Sequence, residues 1–266
     1  MVKHPLVRYH GSKWRIAPWI ISHFPKHRIY VEPFGGSGSV LLRKERSKIE
    51  VYNDLDGEIV NLFQVVREHG EELSRLVYLT PYSRSEFIKA FEPSDNHIEQ
   101  ARRTLVRSFL GWGSGYISNS ENDKCAKPHN GFSIDYRVKD RGTRNYVWLK
   151  VPGTILSVIE RLRGVIIEAV DYKNVIAKND TNNTLFYVDP PYLSDVRDSG
   201  NDYRHEFSEE NHKELASVLN NVKGSVIISG YNSKLYKKLY QKWETKSIET
   251  YTAGNTKRTE LIWIKK

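Results

Sequence analysis

A chain of 266 residues that is 39% hydrophobic and 27% charged is long enough to build a substantial core. Its 41 Lys+Arg against 32 Asp+Glu leave a formal charge of +9, which with 16 Tyr and 6 Trp suits a polyanion whose bases stack on rings. Cys125 is the lone cysteine, excluding an intrachain disulfide framework or Cys-rich zinc site; with no apolar leader and no run of about 18 apolar residues, a cytoplasmic protein without membrane or metal is expected.

Short β-branched runs alternate with helical patterns, predicting an α/β sheet. The first strand, 27–32, runs into Pro33-Phe34-Gly35-Gly36-Ser37-Gly38-Ser39 and then the apolar helix start Val40-Leu41-Leu42. A glycine turn there lets a ligand approach the backbone at a helix amino end. The second strand, 49–53, ends in Asn53-Asp54, where an acid can hold ribose hydroxyls. These features together suggest an adenosine-containing cofactor. A dinucleotide fingerprint needs glycine where Leu41 stands, and a P-loop needs Gly-Lys-Ser/Thr closing the turn; both are absent. Glu32 and Asp54 are poor neighbours for a pyrophosphate but tolerable for the sulfonium, amine and ribose of S-adenosyl-L-methionine.

A helix is predicted over 57–68, after which the βα rhythm stops from about 70 to 152. This stretch contains a helix at 98–109 with Arg102, Arg103 and Arg107, then a Gly/Ser/Asn-rich segment, 111–120, that includes Tyr116. A basic and aromatic segment follows, with Arg137, Lys139, Arg141, Arg144, Tyr146 and Trp148. An insertion this long in a compact fold is usually functional or disordered, and interleaved cations and rings favour a lobe facing nucleic acid. The expected organisation is a catalytic domain, 1–69 with 152–266, carrying an inserted, mainly helical recognition lobe, 70–151.

A helix at 154–162 leads to strands at 165–170, 184–189 and 225–229, with a helix at 208–220 capped by Ser208. Strands at 246–252 and 259–264 flank the turn signal Ala253-Gly254-Asn255 and read as an antiparallel hairpin closing a seven-stranded sheet. The fourth strand, Thr184-Leu185-Phe186-Tyr187-Val188, ends in Asp189-Pro190-Pro191-Tyr192. Pro190 has no N–H to compete for the Asp189–Pro190 junction, Asp189 adds an acceptor and Tyr192 a flat face. Such a set suits a planar ring bearing an exocyclic amine.

On these residues the chain resembles the Dam-type, alpha-group DNA adenine N6-methyltransferases, over roughly 5–68 and 165–264. The resemblance implies a class I, Rossmann-like S-adenosyl-L-methionine-dependent fold with a mixed seven-stranded sheet. It makes Tyr9-His10-Gly11-Ser12-Lys13 similar to the amino-terminal cofactor motif, with Tyr9 stacking on the cofactor and Lys13 near the methionine or target pocket. Glu32, Pro33, Phe34, Gly35, Gly36, Ser37, Gly38 and Ser39 resemble the methionine-binding loop, Asp54 the ribose-holding position, and Asp171-Tyr172 the segment beside the cofactor adenine. Asp171 alone would also serve as a helix cap. Asp189, Pro190, Pro191 and Tyr192 match the catalytic motif, Arg8 a DNA-contacting position, and Phe207 and Asn232 later pocket segments. Tyr116, Arg137, Lys139, Arg141 and Arg144 are the remaining DNA-binding candidates. The insertion aligns only loosely with the family's recognition segment, so no target sequence is implied.

The implied reaction moves a methyl group to adenine N6 in DNA after the base is flipped out, with the Asp189 carboxylate and Pro190 carbonyl each accepting an N6–H. N4-cytosine DNA methylation, N6-adenine RNA methylation and a DNA-binding regulator without chemistry are the alternatives. Cys125 lies in the polar insertion, far in sequence from the strand-end motifs, which disfavours carbon-5 cytosine chemistry. Replacing Arg137, Lys139 and Arg141 together is expected to weaken DNA binding and flatten its dependence on log salt by about one for each phosphate no longer neutralised. Binding titrations at several salt concentrations check this, and an unchanged slope clears the segment of any part in phosphate binding.

Overall fold

The computed structural model describes residues 2–112, 131–134, 144–192, 206–251 and 257–266. Tyr116, Cys125, Arg137, Lys139, Arg141 and the 253–255 turn lie outside them. The chain divides into two compact units, one built from 13–55, 164–200 and 205–266, the other mainly from 1–12 and 56–163.

The first unit holds all seven strands: β1 Ile29–Glu32, β2 Ile49–Asn53, β3 Val165–Glu168, β4 Thr184–Val188, β5 Ser225–Gly230, β6 Glu244–Tyr251 and β7 Lys257–Lys265. They form one sheet in the order β3-β2-β1-β4-β5-β7-β6. The first five run parallel, while β7 pairs antiparallel with both β5 and β6. This is the mixed sheet that the resemblance implied. Strand order reverses at β1 and β4, which pair in the register Val31↔Phe186. A switch point of this kind leaves a crevice at the carboxyl edge, where Glu32 with its glycine turn and Asp189 both emerge.

All five residues of β4 are buried, as a central parallel strand covered on both faces requires. One core layer gathers Val31, Phe186, Val188, Val226 and Ile228 from the sheet with Leu215 and Leu219 from α9, Glu209–Asn221. Ser208 caps α9 in a reciprocal capping box with Asn211. The short helices α1 Ala17–Ile21, α2 Ser39–Arg43, α8 Tyr172–Asn179 and α10 Lys234–Leu239 complete the unit.

Several strand ends differ from expectation. β3 stops at Glu168 because the Val170 N–H turns aside to the Asn53 side chain at 3.0 Å. β4 stops before Asp189, since Pro190 cannot extend a ladder. β6 and β7 are longer than predicted, because an edge hairpin tolerates the charged residues that blur a sequence pattern.

The second unit is helical among the described residues: α3 Gly57–Leu79, α4 Arg84–Lys89, α5 His97–Leu110, α6 Arg144–Trp148 and α7 Val151–Leu162. The predicted end of α3 near 68 is only a kink, with non-helical dihedrals at His69. Gly70 belongs to the packing instead: a Cβ there would lie 2.5 Å from Ile159 Cγ1 on α7. Pro152 sits in the first turn of α7, where no N–H is needed, so the helix starts earlier than the pattern suggests.

Gly224 precedes β5 with no room for a side chain, since a Cβ would meet the Thr184 carbonyl oxygen at 2.7 Å. Gly224→Ala is expected to destabilise by about 1–3 kcal/mol. Gly153→Ala, with open space around it on α7, is expected to be neutral or slightly stabilising. Thermal denaturation of both variants checks the contrast.

Candidate active site at the carboxyl edge of the sheet

Asp189 leaves the end of β4 with its side chain 19% exposed, so it needs a partner. Lys13, itself 6% exposed, supplies one: its Nζ lies 3.1 Å from Asp189 Oδ2. The other oxygen, Oδ1, is buried and has no hydrogen-bond partner. Burial raises the Asp189 pKa, opposed by the Lys13 charge and by hydrogen bonding from Lys13 and Tyr192. The result is a carboxylate paired at one oxygen and buried without a hydrogen-bond partner at the other. The Lys13 ammonium also stands 4.6 Å from the centre of the Tyr192 ring, which is 5% exposed.

The glycine turn after β1 is held from several directions. The Gly35 N–H donates to the Asn53 carbonyl at 2.8 Å, and the Gly36 N–H to Asp54 Oδ2 at 2.7 Å. The Tyr52 hydroxyl donates to the Gly36 carbonyl at 2.6 Å. Gly36 and Gly38 have φ of 47° and 59°, a left-handed region that disfavours a Cβ, and Gly35 lies against the Tyr52 ring. The buried Asn53 amide donates to the Pro33 and Val170 carbonyls, tying the ends of β1, β2 and β3 together. Ser37 and Ser39 hydroxyls bond each other at 2.7 Å beneath the turn.

Glu32 is buried at the end of β1, where its Oε1 accepts from the Tyr30 hydroxyl at 2.5 Å and the Leu41 N–H at 2.7 Å. Burial raises its pKa to about 8, against those two hydrogen bonds and the Lys44 charge. Phe34 stacks on Tyr172 at 5.3 Å, and Phe207 meets both rings edge-on. These three rings offer an apolar wall beside the turn. Asp171 caps α8 by accepting from the Lys173 N–H at 2.8 Å, the local role that its sequence position also allowed. The bent glycine backbone and ring wall fit an adenosine-containing ligand in shape.

Arg8 and Tyr9 belong to the helical unit. There the Arg8 backbone is fixed by Ser108 on α5, and burial with the nearby Arg144 charge lowers the Arg8 pKa to about 10. Arg144 lies over the Trp112 ring at 4.8 Å, and Arg84 over Phe132 at 5.0 Å. Arg102, Arg103 and Arg107 are different: acids of the same unit neutralise them. Arg102 pairs with Glu86 and Glu99, Arg103 with Glu99, and Arg107 with Glu58. Those three cations hold α3, α4 and α5 together.

The pattern of the sequence left Glu260, Tyr231 and Arg258 unnoticed. Tyr192 donates from its hydroxyl to Glu260 Oε2 at 3.3 Å and packs edge-on against Tyr231 at 4.6 Å. Arg258 donates to the Tyr231 hydroxyl at 3.1 Å. A signal was available: alternation along β7 puts Glu260 on the same side as buried Ile262 and Ile264.

Comparison with known proteins adds the family context. Residues 9–254 match the model of the D12 class N6 adenine-specific DNA methyltransferases. The chain is 24% identical to a type II methyltransferase, M1.LlaDCHI, of Lactococcus lactis subsp. cremoris, over 95% of this chain and 90% of that protein. It is 23% identical to the DNA adenine methylase of Salmonella typhi, over 88% and 83%, and 22% identical to that of Escherichia coli K12, over 89% and 84%.

Glu32 provides a pH test of the site. Its folded pKa lies above that of a free carboxyl, so the native state holds a proton that the unfolded state releases. Stability from this group is therefore present below about pH 4.5 and lost as pH rises through about 8. Urea midpoints are expected to fall across that window, and Glu32→Gln to make the decline shallower by up to about 1.4 kcal/mol per pH unit. An equally steep decline in the variant would contradict the assignment.

Proposed function

Since the chain belongs to the D12 class of N6 adenine-specific DNA methyltransferases, we propose that Asp189 and the Pro190 carbonyl receive the target amine. The observation that carries this reading is the buried, unpartnered Asp189 Oδ1, beside an Oδ2 already occupied by Lys13. Adenine N6 is a poor nucleophile because its lone pair is delocalised into the ring. Two acceptors that draw its N–H groups hold the nitrogen toward tetrahedral geometry and free the lone pair. Burial raises the Asp189 pKa and makes the carboxyl a better proton acceptor, while the Lys13 charge opposes that rise and favours the ionised form. Tyr192 is assigned to stack on an extruded base by resemblance, since a base cannot reach a strand-end site from within a duplex.

S-adenosyl-L-methionine supplies the electrophilic methyl when bound. Glu32, Pro33, Phe34, Gly35, Gly36, Ser37, Gly38 and Ser39 would hold it, with Glu32 fixing the turn through Leu41 and Tyr172 assigned beside the adenine. Asp54, through its bond to Gly36, shapes this loop as well as lying at the position expected for ribose. Tyr9 is assigned to the cofactor by resemblance alone. The recognition lobe is assigned to 70–151, with Arg8 and Arg144 contacting phosphate or base; the net charge of +9 favours such a partner. Tyr116, Arg137, Lys139 and Arg141 are assigned to the same surface from the sequence. Among the described residues no helix is long and apolar enough to cross a membrane.

Asp189→Ala is expected to reduce labelled methyl transfer to plasmid DNA at least about a hundredfold while donor and DNA binding persist. Mass spectrometry of the digested nucleosides from the parent reaction is expected to show N6-methyladenine. Full activity in the variant, or N4-methylcytosine as the product, would overturn the proposal.

A further inference from the structure

Glu260, on β7, is a half-buried carboxyl with no part in the chemistry described so far. It stands one residue beyond the last β5–β7 pair, Gly230↔Leu261, so it lies beside Tyr231 where β5 leaves the ladder. Directional hydrogen bonding converges on it. Arg258 donates to the Tyr231 oxygen at 3.1 Å, which directs the Tyr231 proton elsewhere, and Glu260 accepts it. From the other side the Tyr192 hydroxyl donates to Glu260 Oε2 at 3.3 Å. Lys13 stabilises the charged form of Glu260, while Asp189 opposes it.

The Tyr192 hydroxyl has one proton and two carboxyls within its influence, since it also stabilises the charge on Asp189. If that proton settled on Asp189, it would occupy acceptor capacity that an incoming amine requires. Asp189 Oδ1 is nevertheless without a partner. Resting on the reading that Asp189 receives the amine, we propose that Glu260 is a positioning residue: it draws the Tyr192 hydroxyl toward β7 and keeps Asp189 Oδ1 unpartnered for the target base. The same interaction fixes the tilt of the Tyr192 ring, already wedged between Lys13 and Tyr231.

This role separates from a merely structural one through suppression. Glu260→Leu removes the competing acceptor and commits the Tyr192 hydroxyl more fully to Asp189, so kcat for methyl transfer to unmethylated plasmid DNA is expected to fall about tenfold. KM for the plasmid is expected to stay within about twofold, because the loss falls on the bound, extruded base. Adding Tyr192→Phe to Glu260→Leu removes the misdirected hydroxyl and is expected to recover several fold of the lost kcat. Glu260→Gln, nearly isosteric, retains one acceptor oxygen and is expected between parent and Glu260→Leu. Thermal midpoints and donor binding by calorimetry accompany each kcat, so that a folding defect is read directly. Should the leucine variant not fold, the glutamine variant with and without Tyr192→Phe carries the same comparison. Parent kcat in the folded Glu260 variants, or no recovery on adding Tyr192→Phe, overturns the proposal. Asp189→Ala in the same assay separates the two ideas: its inactivity together with parent-like Glu260 variants sinks only the role of Glu260, and its activity sinks the underlying reading.

Discussion

A carboxylate at the end of a wholly buried strand is unstable unless something answers its charge, and for Asp189 that is Lys13 at 3.1 Å. The answer is one-sided. One oxygen is held by the ammonium, and the other is buried without a hydrogen-bond partner. An unsatisfied buried acceptor costs about 1–3 kcal/mol, which is reasonable to retain only where a ligand satisfies it. The position of the acid is set by β4, which is laddered to β1 on one side and β5 on the other. Its chemistry therefore inherits the rigidity of the sheet centre.

The opposite wall of the crevice follows a different logic. Around the glycine turn the acids are occupied by the protein itself: Glu32 accepts from Tyr30 and Leu41, and Asp54 from Gly36. Their first effect is to fix a backbone that has little side-chain bulk of its own. Neither acid is left as a loose carboxylate in the pocket. Under the proposed mechanism the two walls divide the labour, one orienting an amine and the other holding the group that carries the methyl.

Much of this arrangement was legible in the residues. Buried β-branched runs marked the parallel strands, and the glycine turn and Asp189 tetrapeptide marked the edge where they converge. Local signals failed where packing decided the outcome. The helical pattern in the residues ends near 68, yet α3 continues through a kink, and Gly70 just beyond it admits Ile159 of α7. Arg102, Arg103 and Arg107 looked like a cationic face, but charge in a sequence does not reveal the acids that the fold brings to it. Glu260 is the reverse case. A lone acid in an edge hairpin reads as solvated, and only the pairing of β7 with β5 brings it to the Tyr192 hydroxyl.

The central claim concerns where the amine sits, and a crystal structure with DNA and a non-reactive donor analogue tests it most directly. The account predicts an extruded adenine over Tyr192 with N6 within about 3.2 Å of both Asp189 Oδ1 and the Pro190 carbonyl oxygen. An adenine bound elsewhere, or one whose N6 lies beyond hydrogen-bond reach of both oxygens, would contradict it.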